Sequence, residues 1–327
     1  IKYLLLGAFS SAFLLYGISI VYGLTGTTNI RGIAEYIVAE GLSSSPALTV
    51  SIVFFSVAFC FKIAAVPFHM WAPDVYEGAP TSVTAFMSVG PKAAGFAAIG
   101  RVFLIMFGSV QVDWSLVLVP VAVLTIGFGN IVALSQTNIK RMLAYSSIAH
   151  AGYALIGVIA GGPEGVASMM NYMLIYSFMN IGAFAIIILL RREGYTGNDI
   201  NDYKGLAKSH PLCAALMLIF MFSLTGIPPT AGFIGKVYLF MAAVDAGYTW
   251  LVIVAVVFSA VSAFFYLRIV MFMYMSEASE GEAVDELNTA PGINVALAIS
   301  AIGVLAIGVL PAKIIDLARL AAAGFLG

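Results

Sequence analysis

Residues 61–80 read FKIAAVPFHMWAPDVYEGAP and break the pattern of everything around them. The run before them, Ala47 to Phe61, has no charge and barely a polar atom. Lys62 then appears before the apolar run has ended, and Pro67 follows five residues later. A proline inside a helix removes one N–H donor and frees the carbonyl four residues back, here that of Ile63. An ammonium group beside such a break is costly in an apolar chain, so its surroundings decide what it does.

Composition names the solvent. Of 327 residues, 61% are hydrophobic and 9% charged, and the mean hydropathy is +1.03, whereas soluble domains carry about 25% charged residues. A surface so poor in charge is solvated by lipid. Continuous apolar runs long enough for a ~30 Å hydrocarbon core make this an all-α polytopic membrane protein; a β-barrel would alternate instead. A net charge of −1 leaves no electrostatic footprint for nucleic acid. Cys60 and Cys213 sit apart in apolar runs without a C-x-x-C, and neither G-x-G-x-x-G nor a P-loop occurs. No cofactor or metal site is therefore expected in this chain, and any redox chemistry it serves lies elsewhere. Ile1 and Lys2 lead straight into an apolar run, with no basic n-region or cleavage site of a signal peptide. The chain reads as one whose first segment lies upstream.

Apolar runs bounded by Gly, Pro, Asn or charge give nine candidate spans: 3–23, 48–78, 80–108, 114–135, 141–160, 165–190, 211–247, 249–275 and 292–311. At 1.5 Å per residue, 48–78 would extend ~46 Å and 211–247 ~55 Å, too long for one crossing. Each contains a breaker, Pro67 and Pro73 in the first and GIPPTAG (Gly226, Pro228, Pro229 and Gly232 among them) in the second. Both are read as discontinuous helices, and a matched pair of these suggests inverted repeats. Lys2, Lys140, Arg141, Arg191, Arg192, Lys204 and Lys208 fall on one face of this alternation; Arg31, Glu35, Glu40, Asp113, Glu164 and Asp245 fall on the other. The positive-inside rule makes the first face cytoplasmic and puts the C-terminus outside; the acidic loop Glu277–Glu286 is the exception on the inner face.

Three lysines stand away from span ends: Lys62, Lys92 and Lys236, none with an acid within four residues. Facing lipid, each would cost about 2.5–3.5 kcal/mol, so all three are expected to face a protein interior. Measured from a turn at Gly78–Ala79, Lys62 lies ~24 Å back and Lys92 ~20 Å on, at similar depth. Freed backbone at membrane depth lines a cavity or is buried, so Pro67 predicts a polar, hydratable pocket beside Lys62. A lysine held out of water can exchange its proton where arginine hardly can. Three at one depth form a lateral proton relay; the alternative is a set of buried ion-pair or hydrogen-bond anchors. His150, in SSIAHAGY with Ser146, Ser147 and Tyr153, is a candidate relay member, and His69, just past Pro67, is a candidate link to the cytoplasmic face. His210, Arg101 and Arg268 read as interfacial or anchoring residues.

FKIAAVPFHMWAPDVYEGAPTSVTAFMSVGPKAAGF, NIKRMLAYSSIAHAGY and GLAKSHPLCAALMLIFMFSLTGIPPTAGFIGKVYLF closely resemble the subunit N (subunit 2) family of proton-translocating NADH–quinone oxidoreductase, respiratory complex I. The resemblance covers essentially the whole chain and extends to a superfamily with membrane-bound hydrogenase and Mrp-type antiporter subunits. It implies an antiporter-like fold of fourteen helices in two inverted five-helix repeats, of which these spans are helices six to fourteen. Residues 1–108 then complete the first repeat, 109–275 form the second, and 276–327 hold the acidic loop and the final transmembrane helix. It further implies that Lys62, Lys92 and Lys236 are the lysines of helices seven, eight and twelve. His150 falls between the two halves of the relay. The family's helix-five glutamate, partner of the helix-seven lysine, has no counterpart here. NADH, FMN, iron–sulfur clusters and quinone are implied in other subunits; the partners implied are antiporter-like paralogues, small membrane subunits and the lipid of a bacterial inner membrane. An Mrp-type cation/proton antiporter subunit and a non-pumping membrane scaffold are the rival readings.

Overall fold

The computed structural model describes residues 1–191, 197–277 and 290–326, and among these the chain is all helix, turn and loop. The chain opens with α1 (Lys2–Thr25), the short amphipathic α2 (Ile30–Ala39) and the first broken helix, α3 (Pro46–Ile63) with α4 (Trp71–Gly78). Next come α5 (Thr81–Gly100), continued by a π-helical turn Arg101–Met106, then α6 (Gln111–Leu134), α7 (Ile139–Ala160) and α8 (Gly162–Leu190). A single turn, α9 (Leu206–Ser209), precedes the second broken helix, α10 (Pro211–Thr225) with α11 (Ala231–Asp245). α12 (Thr249–Met275), α13 (Pro291–Val309) and α14 (Ala312–Leu326) complete it. Eight of the described helices are long and apolar enough to cross a bilayer. The α10–α11 pair, two halves of about 22 Å each, supplies a ninth crossing. The protein is thus a multi-pass membrane protein with two discontinuous helices, as composition and breakers require.

Two helices were not legible as spans. α14 follows the last expected crossing as a separate amphipathic helix, carrying Lys313, Asp316 and Arg319. At 15 residues, ~22 Å, it is shorter than a crossing, and it rests on α8, where Arg319 pairs with Glu164 at 3.0 Å. Residues 276–327 therefore hold one more helix than expected. α2 is started by Asn29, whose side chain accepts from the N–H groups of Arg31 and Gly32. Arg192 and, beyond Glu277, the acidic loop Glu277–Glu286 lie outside the described residues.

The alternation of faces is built from contacts. At one end Asp74 takes Lys2 and, at 2.9 Å, Arg141, while Glu77 takes Arg141 at 2.8 Å. Lys140 caps the end of α4 by donating to the carbonyls of Glu77 and Ala79 at 2.8 and 2.6 Å. These bonds tie α1, α4 and α7 at a single basic face. At the opposite end, Glu164 in the first turn of α8 accepts from Tyr238 of α11 at 2.7 Å as well as from Arg319. Between the faces α7 is buried along almost its whole length, with α6, α8 and α11 packed on it. A polar group on α7 can therefore be solvated only by other protein groups or internal water.

Candidate functional site

The two breaks are made differently. α3 ends at Ile63 because Ala64 turns left-handed (φ 59°, ψ 41°), and the N–H groups of Ala64 and Ala65 fold back on the carbonyls of Phe61 and Cys60 at 3.1 and 2.8 Å. The helix thus stops at Ile63, four residues before Pro67, where the left-handed Ala64 rather than the proline sets the break. A non-glycine residue in this conformation costs about 1–2 kcal/mol. The turn is held by Val66 N–H on Thr125 Oγ1 at 3.0 Å and by Trp71 Nε1 on the Phe61 carbonyl at 3.0 Å. In the second break glycine does this work: α10 ends at Gly226 (φ 91°), and Pro228 and Pro229 prevent immediate continuation. The helix restarts at Ala231 under its own first half. A Cβ on Gly232 would stand 1.7 Å from the Ser223 carbonyl oxygen, and Gly232 N–H donates to Ser223 Oγ at 3.0 Å.

The tight second break creates the seat of Lys236. From α11 its ammonium donates to the carbonyls of Leu224 and Thr225, at 3.2 and 2.7 Å, and to Ser259 Oγ at 2.8 Å. The carbonyls are orphan acceptors at the negative end of a half-helix, where a cation is favoured by both hydrogen bonding and the dipole. Lys236 is 5% exposed, and its ammonium lies 5.1 Å from the Tyr153 ring centroid. Lys92, 2% exposed, reaches from α5 to α7, donating to Ser147 at its carbonyl (2.6 Å) and hydroxyl (2.5 Å).

His150 lies one turn along α7 from Ser147 and is enclosed by tyrosines. Nδ1 meets Tyr172 OH at 2.8 Å and Nε2 meets Tyr266 OH at 3.2 Å. The Tyr176 ring stands 4.9 Å away and the Tyr153 ring 5.9 Å. Tyr266 OH also bonds Ser146 Oγ, the neighbour of Ser147, while Asn130 donates to Tyr153 OH at 3.2 Å. The resulting line of polar side chains runs Lys92–Ser147/Ser146–Tyr266–His150–Tyr172, with Tyr153 between His150 and Lys236. Hydroxyl and imidazole groups both donate and accept, so the line has the chemistry to pass protons laterally through the core. Serines 146 and 147 and Tyr153 were visible beside His150 in the sequence. Tyr172, Tyr176, Tyr266 and Ser259 were not, because an aromatic or serine at helical spacing in an apolar span carries no local mark of its partner.

Lys62 and His69 do not join this line. Lys62 lies exposed on the outer side of α3, its ammonium 6.0 Å from the Phe61 ring centroid, rather than in the interior of these helices. The reason is register: Phe61 and Ile63 on either side are buried, and Lys62 takes the face between them that turns outward. The space beside Pro67, about 210 Å³, is likewise apolar, lined by Leu6, Phe9, Phe61, Phe68 and Met70 with Ser10, in place of the hydratable pocket expected there. His69 is buried edge-on against Phe128 at 4.6 Å, and its Nδ1 has no hydrogen-bond partner among the described residues. Arg268 donates to the carbonyls of Leu134, at 3.1 Å, and Gln136 at the end of α6, and Arg101 lies over the Phe325 ring; both act as anchors. Among the described residues no cluster of three or more His, Cys, Asp or Glu is placed to hold a metal ion.

Residues 1–262 match the model of the family described as "NADH:quinone oxidoreductase/Mrp antiporter, TM". The chain is similar to NADH-quinone oxidoreductase subunit N of Trichlorobacter lovleyi, 52% identical over 318 residues that cover 97% of this chain and 65% of that protein. The chain thus spans about two thirds of that relative's length. Among solved structures it resembles a chain of respiratory complex I from Thermus thermophilus, with a TM-score of 0.80 and 33% identity over 96% of this chain and 67% of the other. It also resembles a chain of the Mrp complex from Dietzia, with a TM-score of 0.84 and 26% identity over 99% of this chain and 67% of the other. The broken helices, the buried lysines and these likenesses agree: the chain belongs to the NADH:quinone oxidoreductase/Mrp antiporter transmembrane family.

Proposed function

We propose that this chain is part of the proton-translocating subunit N of a bacterial NADH–quinone oxidoreductase, carrying protons through the membrane while other subunits reduce quinone. The observation that carries the reading is the buried row of polar side chains formed by Lys92 on Ser147 and, from the neighbouring Ser146, Tyr266 and His150, with Lys236 seated on the last carbonyls of α10 at its far side. The lysines hold protons and the hydroxyls and imidazole pass them. Lys62 is a further station that meets its acidic partner across the outer surface of α3, and His69 leads toward the basic face.

On this reading the chain makes no bond-changing step itself. NADH, FMN, iron–sulfur clusters and quinone work in other subunits, and its neighbours are antiporter-like and small membrane subunits. Residues 1–108 belong to a first inverted repeat, 109–275 form the second, and 276–327 carry the last span and α14. The protein lies in the bacterial inner membrane with the face of Lys2, Lys140 and Arg141 in the cytoplasm.

The test uses the assembled complex in vesicles, with Lys62→Ala, Lys92→Ala and Lys236→Ala. The expected result is proton pumping lost or uncoupled from quinone reduction in these variants. Normal coupled pumping in all three would reduce the chain to a scaffold, and sodium-dependent flux without the redox subunits would favour an Mrp-type antiporter.

A further inference from the structure

Thr81, Thr84, Ser88 and Lys92 of α5 are all buried, none more than 4% exposed. Their spacing of three and four residues sets them on one stripe of the helix, which runs about 16 Å from Thr81 to Lys92. Thr81 lines a cavity of about 260 Å³ at the basic face, together with Glu77, Lys140, Arg191 and Asn198. Arg191 immediately follows α8, so α8 ends at the face where α5 begins and the two helices run antiparallel.

One polar rung joins them. Asn180 Nδ2 of α8 donates to Ser88 Oγ. One turn deeper on α8, Tyr176 faces Ser147 of α7, the residue that holds the Lys92 ammonium. The Thr84 and Ser88 hydroxyls donate to the Tyr76 carbonyl at 2.9 Å and the Ala85 carbonyl at 2.7 Å, so each must rotate off its carbonyl to pass a proton on. Two buried atoms here, Asn180 Oδ1 and the Tyr176 hydroxyl, have no hydrogen-bond partner among the described residues. Whichever way the amide is turned, one of its two polar atoms faces away from Ser88. Buried polar groups are almost always satisfied, and where side chains do not do it an internal water does.

We infer that Asn180 and Tyr176 bind an internal water beside Ser88, and that this site connects Lys92 along the Thr81–Thr84–Ser88 stripe to the cavity at the basic face. The inference rests on the reading of Lys92 as a proton carrier and assigns Asn180 and Tyr176 as positioning residues for its supply. The water accepts from the Tyr176 hydroxyl and donates to Asn180 Oδ1, which leaves it one donor for the next oxygen of the line. An amide alone could not relay here, since it does not readily exchange its own protons.

The test is made in the assembled complex in vesicles, with Asn180→Leu, Asn180→Ser, Tyr176→Phe and Lys92→Ala. Vesicle acidification per quinone reduced is followed against pH in H₂O and D₂O. Asn180→Leu closes the site with an apolar side chain, and coupled pumping is expected to fall on the order of tenfold with a larger solvent isotope effect. Asn180→Ser leaves room and a partner for water and is expected to keep most of the rate. If Asn180→Leu does not assemble, Tyr176→Phe, which removes one oxygen, is expected to move the isotope effect in the same direction. Wild-type pumping and an unchanged isotope effect in the Leu and Phe variants, beside a defective Lys92→Ala, would overturn this inference and leave the relay standing. Equal failure of the Ser and Leu variants would also overturn it. Normal pumping in Lys92→Ala would remove the relay reading itself.

Discussion

Replacing Gly226 by alanine strikes the seat of Lys236 without touching the lysine. Gly226 ends α10 at φ 91°, a conformation that costs an L-residue about 1–2 kcal/mol. The added Cβ would stand 3.0 Å from Cδ and 3.3 Å from Nζ of Lys236, so the side chain must shift. A shift of a few tenths of an ångström stretches bonds that are now 2.7, 2.8 and 3.2 Å long. Hydrogen bonds to a charged group contribute about 1.5–3 kcal/mol each; losing one in addition to the backbone strain gives a total cost of roughly 2.5–5 kcal/mol. Gly292→Ala is the control, since its Cβ would meet nothing within 4 Å and the change should stay within about 0.5 kcal/mol. Thermal unfolding of the purified complex and its coupled pumping are the assays. Both should fall in Gly226→Ala and neither in Gly292→Ala. Unaltered stability and pumping in Gly226→Ala would refute the claim that this glycine shapes the lysine site.

Gly232→Ala should abolish accumulation of the folded chain, because its Cβ would lie 1.7 Å from the Ser223 carbonyl oxygen; immunoblotting of assembled complex checks this, and normal levels would contradict it. Tyr266→Phe removes a hydroxyl shared by Ser146 and His150 and should destabilise by about 1–3 kcal/mol while slowing coupled pumping, read by the same thermal and vesicle assays. Asn138→Ala should cost about 1 kcal/mol, since the Asn138 side chain accepts from Arg141 N–H at 3.1 Å to start α7, with Asn138→Asp restoring most of the thermal midpoint.

What the sequence shows and what it hides divide along physical lines. Membrane crossings and both breaks are legible because lipid imposes a length and because Pro and Gly disrupt the helix ladder. Lys92, Lys236 and His150 stand out because a polar group in an apolar span must be accounted for. The face a residue takes is not legible: Lys62 and Lys92 look equivalent in the sequence, yet neighbouring Phe61 and Ile63 occupy the buried register and turn Lys62 outward. The stop at Ala64 was hidden as well, since nothing in FKIAAVP marks an alanine as left-handed; the Thr125 and Trp71 bonds that hold the turn come from other parts of the fold. The tyrosines around His150 are up to 116 residues away in sequence, and only tertiary packing gathers them. α14 could have been found from its alternation of Lys313, Asp316 and Arg319 with apolar residues at helical period.

If Lys92, His150 and Lys236 share one proton path, water must bridge the gaps between them. A high-resolution structure of the protein in its complex, with ordered waters located between these residues in each state, decides the matter. Waters and the hydroxyls of Ser147, Tyr266 and Tyr153 are expected to link the three through hydrogen-bonded steps of no more than about 3.2 Å in at least one state. A dry, apolar gap between His150 and either lysine in every state would contradict it.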